Sequence, residues 1–141
     1  LLLAERNVRD AGLDGRILLE HLDAKELSYN DGEFDWVISN SILHHIPQPV
    51  DSMREMLRVL RPGGLLFVRD LMRPGSDADV EQFVATYAGQ ENEHSQQLFR
   101  QSLHAALTVP EMQELMVDLG WPADCATQTS DRHWTIRGSR P

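Results

Sequence analysis

Stretches with a helical period alternate along this chain with short runs of consecutive apolar residues. Few folds accommodate that alternation other than helices laid on a mostly parallel sheet. Leu1, Ala4, Val8 and Ala11 fall at helical spacing, and Gly12 stops the helix they imply. Ile17 to Leu22 reads as a short strand ending at Asp23, and after a turn at Asn30-Asp31-Gly32, Phe34 to Ser39 reads as another. Trp36, Val37 and Ile38 are consecutive, as in a strand buried on both faces. Val50, Met53, Met56, Leu57 and Leu60 form one helical stripe, with Ser52 and Glu55 at capping-box spacing, Asp51 an equally good cap, and Pro62-Gly63-Gly64 as the stop. Leu65 to Val68 is a third strand.

The second half continues the pattern. Val80, Phe83, Val84, Tyr87 and Ala88 predict a helix ending at Gly89, and Phe99, Leu103, Ala106 and Leu107 another. Thr108, Pro110 and Glu111 supply a cap, a first-turn proline and a capping-box glutamate for a helix that Gly120-Trp121 ends. Residues 124–129 and 133–137 read as two strands of a hairpin turning at Ser130-Asp131. The fold class is α/β, a doubly wound, mostly parallel sheet with an antiparallel C-terminal strand.

Composition removes several function classes. A formal charge of −9 is the wrong sign for a nucleic-acid groove. One cysteine, Cys125, forms no disulfide framework and no multi-cysteine metal site. No apolar run approaches the ~20 residues of a membrane span. A soluble, cytoplasmic domain with no metal is the expectation.

The motif order carries more. Asp23-Ala24-Lys25-Glu26-Leu27, Phe34-Asp35-Trp36-Val37-Ile38, Leu43-His44-His45-Ile46 and Arg58-Val59-Leu60-Arg61-Pro62-Gly63-Gly64 follow one another at characteristic spacing. This series resembles the class I S-adenosylmethionine-dependent methyltransferases, and within them the small-molecule branch that includes the ubiquinone/menaquinone C-methyltransferases. The resemblance implies S-adenosylmethionine as cofactor and a small organic molecule as methyl acceptor. Asp23 matches the carboxylate that receives the adenine amino group, and Ala24 the backbone N–H beside it. Asn40 and Ser41 match positions lining the methionine portion. His44 and His45 match a histidine pair on the acceptor side, candidates for a general base.

One part of the pattern has no counterpart. The family begins with a strand, a Gly-x-Gly-x-Gly loop and a second strand ending in a ribose-binding acid, whereas the adjacent glycines here, Gly63-Gly64, belong to a helix stop. Residues 1–141 therefore read as the C-terminal portion of the domain, lacking a strand–helix–strand unit of roughly 30 residues or more. The absent strands belong between the one ending at Asp23 and the one beginning at Phe34. That gap implies fraying of Ile17 to Leu22 and self-association of the chain alone. A non-catalytic remnant or partner subunit of the same fold is the alternative; a nicotinamide dehydrogenase or phosphate binder would need a Gly-rich phosphate loop.

Overall fold

The computed structural model describes residues 1–141. The chain forms five helices and four strands. They are α1 (Leu2–Asp10), β1 (Phe34–Asn40), α2 (Pro49–Val59), β2 (Leu60–Leu71), α3 (Asp77–Ala88), α4 (Glu93–Ala105), α5 (Val109–Asp118), β3 (Ala126–Gln128) and β4 (His133–Ser139). The strands form one open mixed sheet in the order β1-β2-β4-β3. β1 pairs parallel to β2, while β4 runs antiparallel to both β2 and β3. The expected hairpin therefore closes the sheet at its far side. No helix is long and apolar enough to cross a membrane.

One face of the sheet is packed. Met53, Met56 and Leu57 of α2 and Met112 and Met116 of α5 bury Leu66, Val68, Trp134 and Ile136. A second cluster joins α3 and α4 through Val80, Val84, Leu103 and Ala106 against Leu71. The capping box expected on α5 is present, with Thr108 and Glu111 bonding reciprocally. Gly120 follows at φ +82°, and the Trp121 N–H reaches back to the Met116 carbonyl, ending α5 as the Gly-Trp pair implied.

Four local readings are corrected. Ile17 to Leu22 is not a strand: no neighbour offers it a ladder, so its backbone stays irregular and Leu18 is exposed. β1 is not buried on both faces; Val37 and Ser39 face the core, but Trp36 and Ile38 are 60% and 67% exposed. The opposite face of the sheet is open, and α1 buries none of its residues. Finally, Ser52 does not cap α2, whose N-cap is Gln48 without a side-chain bond. Nor does Pro62-Gly63-Gly64 stop that helix. It ends at Val59, where Leu60 turns extended and the Arg58 carbonyl accepts from Gly32 N–H and the Arg140 guanidinium. The glycines instead serve β2: a Cβ on Gly64 would lie 2.9 Å from the Asp35 carbonyl and 2.7 Å from Leu60.

Candidate active site

β1 delivers its C-terminal end to the crevice where doubly wound sheets place ligands. Asn40 closes the strand opposite Arg69, and Ser41 then takes a left-handed turn at φ +58°, its N–H bonding the Arg69 carbonyl at 2.9 Å. A non-glycine residue in that region marks a position held by its surroundings. A single 3₁₀ turn, Leu43–His45, follows at once.

What holds this turn is Asp70, near the end of β2 and 1% exposed. Its Oδ2 accepts from the Ile42 and Leu43 N–H groups at 2.9 and 2.6 Å. Its Oδ1 accepts from the Leu71 N–H at 2.7 Å and meets His44 Nδ1 at 2.5 Å. Burial alone would raise the Asp70 carboxyl; the His44 bond and charge, then the Leu43 and Leu71 amides, outweigh it and hold the group below the ordinary carboxylate range. A buried charge is tolerated because its lone pairs are engaged. The His44 side chain is 5% exposed, and its ring lies 3.9 Å from that of His45, which is exposed. With Nδ1 committed to Asp70, a neutral ring keeps Nε2 as a proton acceptor. His44 and His45 also line a cavity of about 330 Å³ with Leu98, Gln101, Ser102 and Ala105.

Asn40, Ser41, His44 and His45 are thus brought together on one segment. Asp23 and Ala24 sit apart, in an exposed turn closed by a bridge between Asp23 and Glu26. Asp23 Oδ1 accepts from the Lys25 N–H and ammonium at 2.9 and 2.8 Å, and this pairing lowers its carboxyl. The chain just beyond is anchored to α2. Arg58 donates to the Leu27 and Tyr29 carbonyls and to Asp31, while Glu55, paired with Arg58, accepts from the Leu27 N–H. The Arg58 bond foremost, against an opposing cost of burial, holds the Glu55 carboxyl at about 2. Because that value lies below the ordinary 4.5, Glu55 contributes stability that is full above about 4.5 and is lost as pH falls toward about 2. The protection factor of the Leu27 amide is expected to fall over that window, and Arg58→Ala to accelerate its exchange about tenfold at neutral pH. An unchanged rate in the variant would show the loop to be held otherwise.

Asp70, Glu55 and Arg58 escaped the sequence reading of the site. Asp70 had a usable signal, since it is an acid closing an apolar strand at the ligand-bearing edge of the sheet. Glu55 and Arg58 had none beyond a helical i,i+3 spacing.

The residues present fit an S-adenosyl group in part. One Asp23 oxygen stays free and the Ala24 N–H makes no hydrogen bond within the chain, which is the acceptor–donor pair an adenine edge requires. The family model described as a methyltransferase domain matches residues 1–68. Methyltransferase GfsG of Streptomyces halstedii is 43% identical over 80 residues, 55% of this chain and 28% of that protein. The ubiquinone/menaquinone biosynthesis C-methyltransferase UbiE of Ectopseudomonas mendocina is 37% identical over 67 residues, 48% of this chain and 26% of its own length. The chain therefore spans only about a quarter of these curated relatives. Among solved structures, a SAM-dependent methyltransferase from Aquifex aeolicus superposes with a TM-score of 0.64 at 13% identity, covering 98% of this chain and 62% of that one. Over residues 1–68 the chain is similar in sequence to methyltransferase domains, and over nearly its whole length it shares the fold of a solved SAM-dependent methyltransferase.

Proposed function

We propose that the protein transfers a methyl group from S-adenosylmethionine to a small organic acceptor, and that His44 is the general base. The observation carrying this reading is Asp70, which fixes the Ile42–His44 turn and the His44 ring at the end of β1 through three bonds. Asp23 and Ala24 would hold the adenine, and Asn40 and Ser41 the methionine portion. When bound, the cofactor supplies an electrophilic methyl on a sulfonium. The chain's own residues have to align the acceptor and receive its proton, and alignment alone contributes on the order of 7–11 kcal/mol. His44 Nε2 accepts that proton while Asp70 balances the imidazolium charge. The His45 ring lies beside that of His44, 3.9 Å away, and lines the same cavity.

Residues 1–141 form the C-terminal portion of the domain in this reading. The unpaired outer edge of β1 supports it, because the edge is where a further parallel strand would add. The free Cys125 thiol, which burial pushes up, fits a reducing, cytoplasmic setting. The test uses the full-length protein and labelled methyl donor. His44→Gln is expected to lower turnover by about 10²–10⁴ and flatten the pH–rate profile near neutrality, with cofactor affinity unchanged. Parallel losses of binding and thermal stability, with the profile intact, would make His44 structural instead.

A further inference from the structure

We propose that the cavity between the His44–His45 turn and α4 is the acceptor subsite, and that it receives a hydroxyl group carried on a small apolar scaffold. The inference rests on the methyltransferase reading above. Its ground is the composition of the walls. One side is His44, almost wholly buried, with Nδ1 bonded to Asp70 and no bond within the chain at its other ring nitrogen. The other side is the α4 face of Leu98, Gln101, Ser102 and Ala105, where Leu98 is half exposed and neither polar side chain makes a hydrogen bond.

This set selects among acceptor chemistries. No arginine or lysine lines the cavity, so nothing there pairs a carboxylate or phosphate. No carboxylate lines it either, and Asp70 is screened behind His44, so an ammonium finds no counter-ion. A neutral hydroxyl needs an apolar wall, a hydrogen-bonding partner or two, and a base that removes its proton, which are what the cavity presents. The proton passes to His44 Nε2 and the oxygen's electron pair forms the O–CH₃ bond. The C–S pair stays on sulfur, so the sulfonium charge is exchanged for an imidazolium beside Asp70.

Binding of 4-nitrophenol and 4-nitroanisole to the full-length protein separates this from the alternatives, since the two differ only in the hydroxyl. We expect saturable 4-nitrophenol binding with absorbance shifted toward its ionised form, and 4-nitroanisole binding at least about tenfold weaker. Leu98→Trp should fill the cavity and abolish probe binding while S-adenosylmethionine affinity stays unchanged; His44→Gln should remove the absorbance shift. Equal affinity for the two probes, or a Leu98→Trp protein that still binds 4-nitrophenol, overturns the assignment. Failure of S-adenosylmethionine to bind the unaltered protein would instead overturn the methyltransferase reading, since probe binding is measured without it.

Discussion

Replacing Asp70 with alanine is expected to remove about 3–5 kcal/mol of folding stability, the usual cost of deleting one member of a buried charged pair. The mechanism is specific. The Ile42, Leu43 and Leu71 N–H groups and His44 Nδ1 would all lose their acceptor in a place water does not readily reach. Domains of this size have about 5–15 kcal/mol in total, so the variant sits close to the edge of folding. Asp70→Asn separates the two duties of the residue. Its carbonyl oxygen still accepts from the Ile42 and Leu43 amides, but its NH₂ faces His44 Nδ1 and forces the ring proton onto Nε2. That variant should stay folded and lose the base. Urea denaturation decides the first point: a loss below about 1 kcal/mol for Asp70→Ala would mean the turn is held by packing alone.

The 141-residue chain by itself is expected to self-associate at micromolar concentration. β1 is an edge strand with an unpaired row of backbone groups, and it carries Trp36 and Ile38 on a face where Phe67 is also exposed. Covering large apolar side chains is worth about 1.5–3 kcal/mol each, and an open edge templates further pairing. Substituting lysine at both Trp36 and Ile38 should return the chain to monomer without loss of helicity, since neither side chain enters the core. Sedimentation of the unaltered chain as a monomer at tens of micromolar would count against this account.

How legible the molecule was depended on how local each determinant is. α5 could be read to the residue, because Thr108, Pro110, Glu111, Gly120 and Trp121 act within a few positions of one another. The hairpin was accessible from its turn, although Asp124 and Cys125, read as strand, lie in a 3₁₀ turn. α2 was placed correctly but misread at both ends: Glu55 has the spacing of a capping residue yet bonds Leu27, 28 positions away. Ile17 to Leu22 has the composition of a strand, and composition cannot supply the neighbour a strand needs. His44, His45, Asn40 and Ser41, the proposed site residues, could be grouped from sequence because they follow one strand in order. The carboxylate that organises them lies 26 residues beyond His44, and only the parallel pairing of β1 with β2 brings it there.

The position of β2 at the centre of the sheet has a kinetic consequence. On one side Leu66 is paired with Val37, and on the other with Gly138. The first contact closes 29 residues of chain (66 − 37) and the second 72 (138 − 66), so the second costs about 0.8 kcal/mol more in closure entropy. The unit from β1 through α2 to β2 also precedes the C-terminal hairpin during synthesis. Its parallel pair, with Asp70 beside the His44 turn, is expected to assemble before the C-terminal hairpin, which then docks onto a strand already committed on its other edge. Pulse-labelled amide exchange should therefore protect Val37 and Ser39 before Trp134 and Ile136, and the reverse order would count against this account.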